Sequence, residues 1–190
     1  MHRPICAKRL LASNVCRVTA IAVFCVSSHA YANPSALFSP GANRVSTFLR
    51  TALAQRSKNL IDAADEMPAD KYELKAPPDN YTFGYLTLHI ADGNYLFCSY
   101  IGGIPMPQLP TLAETDPKPT LMKRIKDSFD FCTAALANLD DSHMKDMLTM
   151  GETKMSRSMA VLTLTGSWAT HYDQQQQYLQ LGGIAVSSAK

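Results

Sequence analysis

Two histidines and two cysteines are the residues whose type and position suggest chemistry: His89, His171, Cys98 and Cys132. Imidazole titrates near neutrality and is the commonest metal ligand, so a pair of histidines suits proton transfer or a divalent metal. Two nitrogen donors fall short of a usual catalytic zinc site, which has three protein ligands and an open position. Asp92, one turn after His89, is a carboxylate that could reach the same space; His143 follows two aspartates and reads as exposed. The cysteines allow two chemistries, a reactive thiol pair or a disulfide staple. They lack C-x-x-C spacing, and no basic cluster lies near to hold a thiolate, which favours the staple.

The start of the chain bears on that choice. Arg3, Lys8, Arg9 and Arg17 are followed by a short apolar run from Val18 to Val26 and then by Ser27-Ser28-His29-Ala30-Tyr31-Ala32. A basic start, an apolar run too short for a bilayer and small residues at the A-x-A positions predict a signal peptide over residues 1–32, cut after Ala32. Phe24 and Val15, rather than small residues, precede Cys25 and Cys16, which argues against a lipoprotein signal. Cleavage would remove Cys6, Cys16 and Cys25, leaving Cys98 and Cys132 as an even pair in a periplasmic or secreted protein, the setting for a disulfide.

Charge follows the same division. The whole chain carries 18 Lys+Arg and 16 Asp+Glu. Four of the basic residues lie in residues 1–32 and none of the acidic ones does. The domain of residues 33–190 therefore has 14 basic and 16 acidic side chains, a net charge of −2. A basic nucleic-acid-binding surface is not expected. The composition, 46% apolar and 18% charged, is that of a globular domain, not a disordered chain, and no internal repeat is present.

Four helical segments must position the candidate residues. Residues 33–41, with Pro34 and Pro40, read as a frayed lead-in. From Asn43, apolar residues Val45, Phe48, Leu49, Ala52, Leu53, Leu60 and Ala64 recur at helical steps until Met67-Pro68. A second helix is predicted from about Tyr81 to Tyr100, stopped by Gly102-Gly103. A crossover with Pro105, Pro107, Pro110, Pro117 and Pro119 follows. The third helix is predicted from about Leu121 to Leu139. After a connector over residues 143–154, the fourth runs from about Met155 to Leu181 and ends at Gly182-Gly183. No segment shows strand alternation between hairpin turns. Four amphipathic helices bury their stripes economically as an all-α four-helix bundle, and the long crossover is compatible with parallel second and third helices in an up-down-down-up order.

A helical wheel places the histidines. With Leu164 at zero and about 100° per residue, Trp168 falls near 40°, His171 near 340°, Gln175 near 20° and Tyr178 near 320°. His171 is thus expected in the middle of the buried stripe, where an imidazole needs a hydrogen-bond or metal partner. His89 lies about 100° from the centre of its stripe, beside Tyr85, Asp92, Gly93 and Leu96. Of the glutamines at 174–177, only Gln175 is expected to face inward.

Three stretches resemble the DinB-like superfamily of helical bundles. Residues 63–72 read Ala-Ala-Asp-Glu-Met-Pro-Ala-Asp-Lys-Tyr. Residues 83–95 run from Phe83 through His89 to Tyr95. The third stretch is His171-Tyr172-Asp173-Gln174 followed by residues 178–184. The resemblance implies an up-down-down-up four-helix bundle, often a homodimer. It also implies a divalent metal such as zinc or nickel, held by one histidine of helix two and two of helix four, four residues apart. His89 matches the first position and His171 the last; Ser167, a poor ligand, stands at the middle one. Relatives include metal-dependent thiol S-transferases, isomerases using low-molecular-weight thiols and presumed hydrolases. Such a metal would lower the pKa of a bound thiol or water. Those thiols are cytoplasmic, whereas this chain reads as exported.

The expectation is an exported metal-binding bundle with hydrolase or transferase activity at His89 and His171, and no membrane span. The alternatives are a metal-free bundle, stapled by Cys98 and Cys132, that binds a small ligand or a protein partner, and a thiol-redox protein working through that cysteine pair.

Overall fold

The computed structural model describes residues 43–78 and 80–185; the expected signal peptide and lead-in lie outside them. The elements are α1 (Arg44–Glu66), a single 3₁₀ turn (Ala69–Lys71), β1 (Lys75–Ala76), β2 (Tyr81–Thr82), α2 (Phe83–Gly102), α3 (Lys118–Leu136), β3 (Met147–Met150), β4 (Thr153–Ser156) and α4 (Arg157–Leu181).

Local chemistry sets the helix ends. Thr82 caps α2 by accepting the Tyr85 amide, and Ser156 caps α4 by accepting the Met159 amide. The first turn of α1 is capped from a distance: the Val45 and Ser46 amides each donate to the Asp141 carboxylate at 2.9 Å. At the other ends, Gly103 takes the left-handed conformation (φ 67°) that closes α2. Three cations cap last-turn carbonyls: Arg157 donates to Tyr100 and Ile101 of α2, Arg50 to Leu136 and Leu139 after α3, and Lys71 to Gly182 after α4.

The contacts fix the directions. Gly84 lies against Leu121, Asn94 bonds Ser128, Cys98 is bonded to Cys132 and Gly102 lies against Ala135, so α2 and α3 run parallel. Arg50 at the end of α3 and Lys118 beside Asp65 make α1 antiparallel to α3. Phe83 beside Tyr178 and Arg157 beside Ile101 make α4 antiparallel to α2. The bundle is therefore up-down-down-up, with α1 and α2 diagonal. Among the described residues no helix is long and apolar enough to cross a membrane.

Leu49, Leu60, Phe83, Ile101, Leu121, Ile125, Leu136, Leu164 and Trp168 form the core. A buried polar bridge crosses it: Trp168 Nε1 donates to Asn94 Oδ1 at 2.7 Å, and Asn94 Nδ2 donates to Ser128 Oγ at 3.0 Å. It ties α4 and α3 to one side chain of α2 and sets their register. One turn further along α2, the Cys98–Cys132 disulfide, fully buried, joins α2 to α3 across a sequence separation of 34.

Two details differ from the expectation. The structure has two antiparallel hairpins where none was expected. The connector folds as β3–β4, with Met147 opposite Ser156 and Met150 opposite Thr153 around a two-residue Gly151-Glu152 turn; Gly151 supplies the positive φ of 61°. The strands β1 and β2 pair Lys75 with Thr82 and Ala76 with Tyr81. In addition, α3 begins at Lys118 rather than Leu121, because Pro119 is acceptable in the first helical turn, where backbone amides need no helical partner.

Candidate ligand cleft between helices two and four

Two features bring His89 and His171 together. The first is the antiparallel packing of α2 on α4, registered by the Asn94–Trp168 bond one to two turns away. The second is the β1–β2 hairpin, which leaves a gap over the start of α2. Their rings meet edge to face with centroids 5.0 Å apart. His89 is exposed on the flank of α2, where the wheel puts it; His171 is half-buried. This corrects the expectation that His171 lies mid-stripe. The buried face of α4 runs through Ala160, Val161, Leu164 and Trp168 and resumes at Gln175, Tyr178 and Leu179, which leaves His171 on its edge.

The edge opens into a hollow of about 320 Å³ lined by Ala76, Pro77, Pro78, Tyr81, Tyr85, Leu86, His89, His171, Gln174, Gln177 and Tyr178. Apart from the imidazoles, none of these described lining residues is ionisable at neutral pH. Three rings of its wall stack as a ladder: Tyr81 on Tyr85 at 4.3 Å and 17°, and Tyr85 on His89 at 5.8 Å and 12°. Helical spacing of four residues produces the ladder once Tyr81 is held at the hairpin's end. The Tyr178 hydroxyl holds it there, donating to the Tyr81 carbonyl at 2.6 Å.

His171 Nδ1 lies 2.8 Å from Gln174 Oε1. A carbonyl oxygen only accepts, so Nδ1 carries the proton and Nε2 keeps its lone pair. Burial lowers the His171 pKa below its ordinary value; the Gln174 bond opposes the shift and the nearby His89 adds to it. The ring is therefore neutral at pH 7, a hydrogen-bond acceptor at Nε2. The unfolded chain binds this proton more readily, so the group costs stability as pH falls below about 6.5.

The chain matches the model of the DinB superfamily over residues 52–175. It belongs to that superfamily. Two solved DinB-like structures share the bundle. One, from Bacillus subtilis, has a TM-score of 0.61 at 15% identity, covering 74% of this chain and 96% of that one. The other, from Bacillus cereus, has a TM-score of 0.58 at 16% identity, covering 75% and 95%. At such identities the likeness carries the fold and no activity. Among curated proteins the chain has no match.

The three-histidine metal arrangement that the resemblance to the DinB-like family implied does not fit this donor set. Ser167 stands in the middle position, and no group of three His, Cys, Asp or Glu able to hold a metal occurs among the described residues. Asp92 does not join the histidines. Its carboxylate turns to α3 and takes Arg124 Nε at 3.2 Å and Nη2 at 3.1 Å. His143 is far along the chain fold, bonded through Nδ1 to Asp146 at 2.9 Å beside β3. Gln175 is fully buried, as expected, and donates to the Leu60 carbonyl. The sequence reading placed Gln174 in solvent or at the bundle rim, where it is half-buried, but missed its bond to His171 and the role of Pro77, Pro78 and Tyr81 as cleft walls. Only the i,i+4 series Tyr81, Tyr85, His89 could have signalled the ladder.

Proposed function

We propose that this chain is an exported DinB-like bundle that binds a small ligand by its uncharged aromatic ring between α2 and α4. The observation that carries this reading is the hollow itself, which joins flat ring faces and proline surfaces to two imidazoles and two glutamine side chains and has no carboxylate, lysine or arginine among its described lining residues. A ring suits the Tyr81–Tyr85–His89 ladder, because aromatic faces add an attraction beyond area burial. A hydroxyl on that ring suits the neutral His171, whose Nε2 accepts a hydrogen bond. Export is supported by the N-terminal pattern and by a buried disulfide, which is at home in an oxidising compartment.

Calorimetric titration with 4-ethylphenol tests the proposal. Binding that is lost in both His171→Ala and Tyr85→Ala supports it; binding unchanged by either substitution overturns it.

The zinc or nickel reading rests on one specific observation, the 5.0 Å approach of the two rings, and offers two protein nitrogens. Hydrolase or transferase activity, as far as it depends on that metal, stands or falls with it. Metal content of the untagged protein after zinc or nickel loading separates the readings. Stoichiometric metal that survives gel filtration and disappears in His89→Ala would replace the metal-free cleft with a metalloprotein.

A further inference from the structure

On its far side, the wall formed by Tyr85 and His89 borders a second hollow of about 470 Å³, towards the crossover that joins α2 to α3. Its floor is apolar, from Leu88, Leu96 and Leu112; Leu96 leaves 41% of its surface in solvent. Among the described residues its ionisable groups apart from the two wall residues are carboxylates, Asp92 and Glu114. The two are not equivalent. Asp92 is neutralised by Arg124, whose side chain is almost fully covered. Glu114 has no hydrogen-bonding or ion-pair partner for its carboxylate among the described residues, although it is half-buried.

Glu114 is also held in place. Its carbonyl oxygen lies where a side chain on Gly84 would begin, 2.1 Å from that Cβ position. Only glycine allows the crossover to approach α2 so closely. A carboxylate on a backbone fixed in this way, above an apolar floor and next to a ring-lined hollow, presents an unanswered negative charge beside the Tyr85–His89 wall.

Resting on the reading of the first hollow as a ligand cleft, we propose that the ligand is an aromatic amine. Its ring lies in the first hollow, its short methylene arm passes the Tyr85–His89 wall, and its ammonium group meets Glu114. Of the two carboxylates among the described residues that line the second hollow, the cation answers the one without a partner.

Tyramine and 4-ethylphenol test this directly, since they share a ring, a hydroxyl and a two-carbon arm and differ in the amine. Each is titrated into the full-length protein and followed by NMR. Tyramine is expected to bind about fivefold more tightly, the upper range for a partly exposed ion pair. The preference should vanish in Glu114→Gln, with 4-ethylphenol affinity unchanged, and survive in Asp130→Asn, an exposed acid elsewhere on α3. Equal binding of the two compounds at the histidines overturns the amine assignment and leaves the cleft reading intact. A tyramine preference that persists in Glu114→Gln overturns it as well. Failure of both compounds to bind overturns the cleft reading and this inference with it.

Discussion

Replacing Asn94 with alanine should uncouple the helices that carry the cleft. Asn94 is 1% exposed and bridges Trp168 Nε1 at 2.7 Å and Ser128 Oγ at 3.0 Å. In Asn94→Ala, Ser128 keeps its own bond to the Ile125 carbonyl, but the buried indole N–H has no acceptor. An orphaned donor costs about 1–3 kcal/mol, and the lost amide packing adds about 1 kcal/mol, so the variant should lose about 2–4 kcal/mol. Trp168→Phe removes the donor instead. In that background Asn94→Ala should cost only about 1 kcal/mol, a coupling of about 1–3 kcal/mol. Urea unfolding followed by far-UV circular dichroism measures all four corners of the cycle without relying on the single tryptophan. Since the bridge sets the register of α2 on α4, Asn94→Ala should also weaken 4-ethylphenol binding while the helix content stays the same. Strict additivity in the cycle, or a cost below about 0.5 kcal/mol, would refute the argument that this bridge is an energetic tie.

Other perturbations follow from the same structure. Reducing the Cys98–Cys132 disulfide, or replacing both cysteines with alanine, releases a loop spanning a separation of 34 residues and should lower stability by about 4 kcal/mol in the chain-entropy model, read as the drop in urea midpoint. Asp141→Ala should cost about 1–2 kcal/mol at pH 7, because two α1 amides lose their cap. Burial pushes the Asp141 carboxyl up, but the Ser46 and Val45 bonds outweigh it and hold the group below its ordinary 3.8. The difference between wild type and variant should therefore be full above about pH 5 and close as pH falls through the lowered value, which acid titration of both proteins checks. Gly84→Ala should destabilise by about 1–3 kcal/mol, since the Glu114 backbone must move, whereas Gly93→Ala, where nothing lies within 4 Å, should stabilise α2 by about 0.5–1 kcal/mol in thermal melts.

The helices were legible because their ends are written in local chemistry. Pro68 after α1, Gly103 after α2 and Gly182-Gly183 after α4 act within a turn of where they stand; the caps Thr82 and Ser156 came only with the structure. The parallel α2 and α3 were legible only as a possibility allowed by a long proline-rich crossover. Contacts far apart in sequence decide it, and Asn94 with Ser128 is one of them. The β3–β4 hairpin has a signal in its Gly151-Glu152 turn, but its short strands carry Met147 and Met150, which suit a helix as readily as a strand, and residues 143–154 read only as a connector. The position of His171 was misjudged for a different reason. A wheel assumes one buried face along a helix, whereas α4 meets the Asn94 bridge over its first half and Leu60 of α1 near its end. The face between them belongs to the gap beneath the β1–β2 hairpin. Glu114 carried no signal at all, since its placement depends on a missing side chain at Gly84, thirty residues earlier.

The central claim is that the hollow beside His89 and His171 receives an uncharged ring. Histidine-labelled, untagged protein titrated with 4-ethylphenol at pH 7 tests it most directly through the resolved imidazole carbon–proton signals. The account predicts saturable shifts of His89 and His171 together, with a single dissociation constant and no movement of His143. Saturable shifts confined to His143, or none at any histidine at millimolar ligand, would contradict it.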